Sequence, residues 1–351
     1  MQASEGKKSL NLQKVFAPAA LVILYIFFAL VGRNFFSTAT AIQILESSYY
    51  IGLMAIGVTF VIITGGIDLS IGTVMMCSAL IGGVAYTNWG WPFWATLLLV
   101  PFIGLCFGTL NGYMVAKWKL PPFIATLGTM MVSQGLGSII SGVRTMYYPT
   151  IGSPDVWFRE YFFKAKGLPV GALYLAVFFI LGMFILNKTR FGRYNFAIGS
   201  NEEAARLSGV RVDRYKILIY AACGLFAGIA GIFYGATYTT IIPGKGNGEE
   251  LNAIAAVVIG GTSMSGGSGT MSGTLIGVLI MSTLKRGLSS VGLQAHWQTF
   301  FTGLVVIGAV LLDNARNRAA LRAKTRAVAS QAVLEAPDPD RNPAGQPQQP
   351  S

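Results

Sequence analysis

Few side chains in this 351-residue chain could do covalent or proton chemistry. There is one histidine, His296, so any mechanism needing a histidine cluster is excluded. The three cysteines, Cys77, Cys106 and Cys223, lie in apolar runs without metal or disulfide spacing and read as small core hydrophobes. No Gly-x-x-x-x-Gly-Lys-Ser/Thr phosphate loop is present, so no ATP site is expected on the chain. The ionisable group deepest in apolar surroundings is Asp68, within Gly65-Gly66-Ile67-Asp68-Leu69-Ser70. A carboxylate at membrane depth is costly and marks function. The same residue could equally cap the helix that follows. Glu249-Glu250 opens a short apolar segment and carries the same two readings, because acidic residues suit a helix N-terminus.

The elements that must position these residues are membrane spans. Hydrophobic residues make up 53% of the chain and charged residues 11%, whereas a soluble domain carries about 25% charged residues. The fold class expected is an all-α polytopic membrane protein. The net charge of +12 does not form one patch for nucleic acid. It is spread over Lys7, Lys8, Lys14, Lys117, Lys119, a central island and Arg316 to Arg326, as the positive-inside rule produces. Residues 1–14 read as a cytoplasmic basic leader, 15–313 as the membrane domain, and 314–351 as a tail, basic at first and disordered from about Ala327. Trp89, Trp91, Phe93 and Trp94 read as an interfacial aromatic belt. If residues 250–261 cross rather than re-enter, about ten spans result, with both termini in the cytoplasm.

The polar island runs from Asn187 to Tyr215. Ser200 with Glu203 has the spacing of a capping box, Ala204, Ala205, Arg206 and Leu207 are helix formers, and Gly209 can close the helix in a left-handed turn. About two turns cannot cross a bilayer. This helix is therefore an exposed connector or a docking element for a cytoplasmic partner. A second pattern is an approximate echo. Val61 to Ser70 resembles Val257 to Ser265 once one position is skipped, which pairs Gly65-Gly66 with Gly260-Gly261. Glycine-interrupted apolar segments in two halves of a transporter point to broken helices around the transport path.

Three stretches carry a resemblance: Gly-Gly-Ile-Asp-Leu-Ser-Ile-Gly (Gly65 to Gly72), the run from Arg190 to Val210 containing Ala-Ile-Gly-Ser-Asn-Glu-Glu-Ala-Ala-Arg-Leu-Ser-Gly-Val, and Glu-Leu-Asn-Ala-Ile-Ala-Ala-Val-Val-Ile-Gly-Gly-Thr-Ser-Met-Ser-Gly-Gly (Glu250 to Gly267). Together with Phe123 to Gly128 they resemble the signature stretches of ribose-type permeases of bacterial ABC sugar importers, over Leu21 to Asp313. The resemblance implies an inner-membrane permease subunit paired with a second permease copy, as a homodimer or with a paralogue. It implies a cytoplasmic ATPase that holds the ATP and Mg, no cofactor on this chain, and a periplasmic sugar-binding protein that delivers a monosaccharide. It makes Ser200, Asn201, Glu202, Glu203, Ala204, Ala205, Arg206, Leu207, Ser208 and Gly209 the coupling element. Gly65, Gly66, Asp68, Ser70, Asn252, Gly260, Gly261, Ser263 and Ser265 become the substrate pathway. Asn252 departs from the family, whose members commonly carry Asp there. The rival class, an ion-coupled secondary transporter of a small polar solute, needs mid-membrane carboxylates or histidines, and only Asp68 is offered.

Overall fold

The computed structural model describes residues 2–150, 152–165 and 167–335. Helices follow one another almost without interruption: α1 (Gln2–Val31), α2 (Thr38–Ile63), α3 (Ile71–Thr87), α4 (Phe93–Ala116), α5 (Pro122–Ile140), α6 (Trp157–Phe162), α7 (Val170–Lys188), α8 (Arg190–Ser200), α9 (Glu202–Leu207), α10 (Val212–Tyr238), α11 (Glu249–Ile259), α12 (Met271–Ser290) and α13 (Ala295–Glu335). Among the described residues, six helices are long and apolar enough to cross a bilayer: α2, α4, α5, α7, α10 and the His296–Ala315 part of α13. The apolar Phe16–Val31 part of α1, and α3, are shorter. Ten crossings were expected, and six meet that test. The shortfall is clearest at α11, whose 11 residues reach only ~16 Å, about half a bilayer core.

The bundle is built around α2, which is apolar on every side and buried along most of its length. It packs against α10, α12, α11 and α7. The closest pair is α4 with α10. A Cβ on Gly104 would overlap the Gly224 carbonyl, and one on Gly108 would overlap the Tyr220 carbonyl, so only glycine lets these backbones approach. Gly224 and Gly228 of α10 serve this contact, whereas Gly231 packs on α3 and Gly235 on the Tyr148 ring. By contrast α5 and α7 expose much of their apolar surface.

At the end of the bundle away from the island, β1 (Met146–Tyr147) pairs antiparallel with β2 (Thr240–Ile241). The buried Tyr148 beside them donates its hydroxyl to the Ala79 carbonyl at 3.0 Å. Here the expected aromatic belt divides. Trp89, Trp91 and Trp94 are exposed, but Phe93 is buried against Phe158 with ring centroids 4.7 Å apart, because the α6 segment folds over it. The cysteine reading needs a similar correction: Cys77 and Cys223 are core residues, while Cys106 is exposed. At the C-terminus α13 continues to Glu335, past the Ala327 where disorder was expected; residues 336–351 lie outside the described residues.

Candidate functional site

Both glycine breaks end an apolar helix in the same way. At the end of α2, Gly66 N donates to Val61 O and Gly65 N to Ile62 O, with Gly65 at φ +74°. At the end of α11, Thr262 N donates to Val257 O and Gly261 N to Val258 O, with Gly261 at φ +93°. Each is a Schellman closure with a left-handed glycine one residue beyond the cap. The structural register is therefore Gly65 with Gly261 and Val61 with Val257, and no skipped position is needed. The sequence echo misaligned the pair because it matched the glycine doublets and not the left-handed position.

Beyond its closure the first break is held by a chain of buried polar groups. Asp68 Oδ1 accepts from Ser70 N at 2.9 Å and from Ser70 Oγ at 2.7 Å. Ser70 Oγ in turn accepts from Asn111 Nδ2 of α4, and Asn111 Oδ1 accepts from Thr129 Oγ1 of α5 at 2.6 Å. Tyr220 of α10 donates its hydroxyl to Ile67 O at 3.3 Å. Asp68 is thus not a helix cap: Ser70 occupies the cap position of α3, and the carboxylate organises the turn before it. The chain joins three helices, and buried groups of this kind are held because each has a partner.

The second break is held from elsewhere. Asp313 of α13 brings Oδ2 to Met264 N at 3.1 Å and to Ser263 Oγ at 3.4 Å, while Ser263 N donates to Ser268 O and Ser265 N to Ser263 Oγ. Gly260 sits against α12, where a Cβ would overlap the Gly273 carbonyl. Of the expected pathway residues, Gly65, Gly66, Asp68, Ser70, Gly260, Gly261, Ser263 and Ser265 lie at the two breaks. Asn252 does not. It is one turn into α11, donating Nδ2 to Glu249 Oε2 at 2.9 Å.

The two breaks touch, and the island touches both. Gly267 N donates to Ile63 O at 2.8 Å across the gap. Gly199, near the end of α8, lies on that bond: a Cβ there would overlap the Ile63 carbonyl and come within 2.6 Å of Gly267 N. A Cβ on Gly266 would be 2.8 Å from Gly65 N and 2.9 Å from Gly199 O. Three segments remote in sequence meet backbone to backbone, a contact that any side chain at Gly199 would prise apart.

Below this junction α9 projects as a short, firmly tethered helix. Its N-cap is Asn201, whose side chain accepts from Ala204 N at 2.9 Å, and not Ser200, which is the last residue of α8. The expected capping box fails because α8 consumes Ser200, an 11-residue helix absent from the sequence expectation. The closing end is as expected: Gly209 has φ +84°, and Val210 N donates to Ala205 O while Gly209 N donates to Arg206 O. Ala205 is 5% exposed and packs inward on Ile198 and Val212. Within the expected coupling element Ala205 is therefore internal, and the outward residues include Glu203, Ala204, Ser208 and Leu207, the last 85% exposed.

Ion pairs fix α9 to the bundle. Lys216 Nζ reaches Glu202 Oε2, Arg206 bridges Glu202 at 3.4 Å and Asp213 at 2.9 Å, and Asp213 also meets Lys119 at 3.1 Å and Lys117 at 3.7 Å. Partial burial acts to raise the Glu202 carboxyl, but Lys216 and then Arg206 hold it below its ordinary value. Lys117 and Lys119 follow α4, and Asp213 opens α10, so the network ties α9 to the most closely packed helix pair in the bundle. Among the described residues no group of three or more His, Cys, Asp or Glu could hold a metal ion.

Sequence reasoning missed Asn111, Thr129, Asp313 and Gly199. The first two had a visible signal, since an isolated amide or hydroxyl in an apolar span must find a partner. Asp313 looked like the boundary of the last span, and Gly199 like one glycine among many.

Comparison with known proteins fits this arrangement. Residues 40–310 match the family model for the branched-chain amino acid transport system permease component. The ribose import permease protein RbsC of Bacillus subtilis (strain 168) is 40% identical over 313 residues, covering 87% of this chain and 94% of that protein. RbsC of Escherichia coli (strain K12) is 37% identical over 299 residues, covering 84% and 92%. The xylose transport system permease protein XylH of Escherichia coli (strain K12) is 32% identical over 377 aligned positions, covering 89% and 94%. The chain belongs to this family of transport-system permease components, alongside the ribose and xylose import permeases.

Proposed function

We propose that the chain is the membrane-spanning subunit of an ATP-driven monosaccharide importer in a bacterial inner membrane. A periplasmic binding protein delivers the sugar, and a separate cytoplasmic ATPase, carrying ATP and Mg, drives the cycle. A second permease copy, identical or paralogous, completes the path. In this reading there are ten crossings with both termini inside. The apolar Phe16–Val31 part of α1, α3 and α12 also cross, and α11 together with the non-helical segment before it makes one further crossing. Residues 187–215 then face the cytoplasm, in keeping with their Lys and Arg content.

The observation that carries the mechanism is the unbroken route from the tip of α9, through Gly199, to both glycine breaks. Closure of an ATPase against Leu207 and its neighbours would push α9 as a rigid body, because its two ends are capped and the Lys216–Glu202 and Arg206–Asp213 pairs tether it. The end of α8 moves with it, and the junction lets that motion separate the Gly267–Ile63 contact. A secondary transporter has no use for such a handle.

The test is Leu207→Asp in the complete complex. The expected result is a correctly inserted permease that recovers less than a tenth of the wild-type ATPase on co-purification, with binding-protein association within two-fold of normal. Uptake of D-ribose and D-xylose that proceeds without any ATPase and follows an ion gradient would contradict the proposal.

A further inference from the structure

A second polar cluster lies apart from the breaks, and of its contacts only the Asn252–Glu249 bond has been met above. Lys285 Nζ of α12 donates to Glu249 Oε1 of α11 at 3.2 Å and to the Tyr50 hydroxyl of α2 at 2.7 Å. Its ammonium also stands 5.4 Å from the centre of the Tyr50 ring. Asn252 donates to the other oxygen of Glu249. Tyr50 meets Tyr234 and Tyr238 of α10 edge-on, with centroids 5.3 Å and 6.1 Å away, and those two rings are 4.6 Å apart. Four helices thus bring three phenol rings, a carboxylate, an ammonium and an amide to one place.

Position and exposure say what this place meets. Tyr50 precedes the end of α2 by thirteen residues, about 20 Å along the axis, which sets the cluster between the breaks and the β1–β2 end. Glu249 and Lys285 keep 23% and 28% of their side-chain surface accessible, and Tyr238 is 42% exposed. Charges at that depth face protein or water, because lipid would not tolerate them. The chain from Ile242 to Gly248 is not helical, yet it descends until a Cβ on Gly72, in the first turn of α3, would lie on Gly246 O. Irregular backbone at membrane depth occurs only where it is buried in protein or lines a wet cavity. Lipid is thereby excluded, and the accessible side of the cluster meets water or protein.

We propose that this cluster is a resting station for the monosaccharide on its way to the breaks. It rests on the permease reading above. Tyr238 offers a ring to the C–H face of the sugar, while Glu249, Asn252 and Lys285 offer acceptor, amide and donor groups to its hydroxyls. Tyr50 and Tyr234 fix the geometry from beneath, and only the partly exposed members touch the sugar.

Proteoliposomes holding the complete complex, with D-ribose and D-xylose as probes, test this through the sugar moved per ATP hydrolysed. Tyr238→Ala and Asn252→Ala should each lower that ratio at least ten-fold, while hydrolysis stimulated by the loaded binding protein stays within two-fold of normal. Tyr238→Phe, which keeps the ring, should restore the ratio to within two-fold. A ratio unchanged in both alanine variants would overturn the station. So would hydrolysis falling in step with uptake without rescue by Tyr238→Phe, since a purely structural latch behaves that way. If the unaltered complex moves neither sugar, the permease reading itself fails and this inference with it.

Discussion

The two glycine breaks share one backbone closure and differ in what secures them. The first is locked locally: Asp68, Ser70, Asn111 and Thr129 form a buried chain across α3, α4 and α5. The second is held by Asp313 of the last span, by the loop's own bonds and by the Gly267 N–Ile63 O contact, with no buried polar chain of the first kind among the described residues around it. A turn with three helices invested in it behaves as a fixed edge. A turn joined to that edge through the Gly267 N–Ile63 O bond can part from it at modest cost. The junction at Gly199 sits where fixed and movable edges meet, which is where an applied motion would have most effect.

The sharpest way to break this comparison is to attack the fixed edge. Asp68→Leu leaves the Ser70 N–H and the Ser70 hydroxyl without their acceptor in the core, at roughly 1–3 kcal/mol for each unsatisfied group. Uptake should fall below a hundredth of normal, measured at equal membrane abundance. Asp68→Asn keeps an acceptor for Ser70 and should retain a measurable fraction. If the edge is fixed by the whole chain, Asn111→Ala should approach the Asp68→Leu defect.

Asp313→Ala probes the movable edge and should be milder, because the amide of Met264 can turn to water. Uptake should drop about five-fold, with ATP hydrolysis in the absence of sugar rising as the loop loosens. Equal defects at Asp68 and Asp313 would erase the distinction drawn here.

Much of this arrangement was legible from sequence. Gly209 announced a left-handed closure, the glycine doublets marked the two breaks, and the apolar runs marked the spans because burial and lipid demand the same residues. What was not legible depended on partners distant in the chain. Asn201 displaced Ser200 as the cap because α8 packs on the bundle through α7, α2 and α10, a tertiary reason for a helix that glycine content argues against. Ala205 could not be placed within the coupling element, because small size suits both a groove and a core; only its contacts with Ile198 and Val212 decide. Asp313 could not be matched with Met264 without the fold.

Smaller effects are expected on the handle. Asn201→Ala removes the α9 cap at a cost of about 1 kcal/mol, and ATPase recovery should fall about five-fold. The smallest is electrostatic. Glu202 has a folded-state pKa below its ordinary value, so its contribution is present above the ordinary carboxylate range and is lost as pH falls through the lowered value. Between about pH 6 and 8 ATPase recovery should be flat for the parent chain. Glu202→Gln should change it by less than two-fold there, since the carboxylate is partly exposed and solvent screens the pairs.

The measurement that tests the account most directly is Gly199→Ala in the complete complex, read as sugar moved per ATP hydrolysed. The substitution leaves the exposed tip of α9 unchanged and pushes a methyl group into the Gly267–Ile63 contact. The account predicts normal ATPase recovery, hydrolysis within a few-fold of normal, and at least a ten-fold loss of sugar per ATP. A variant that inserts normally and moves as much sugar per ATP as the parent would show that force does not pass through this junction.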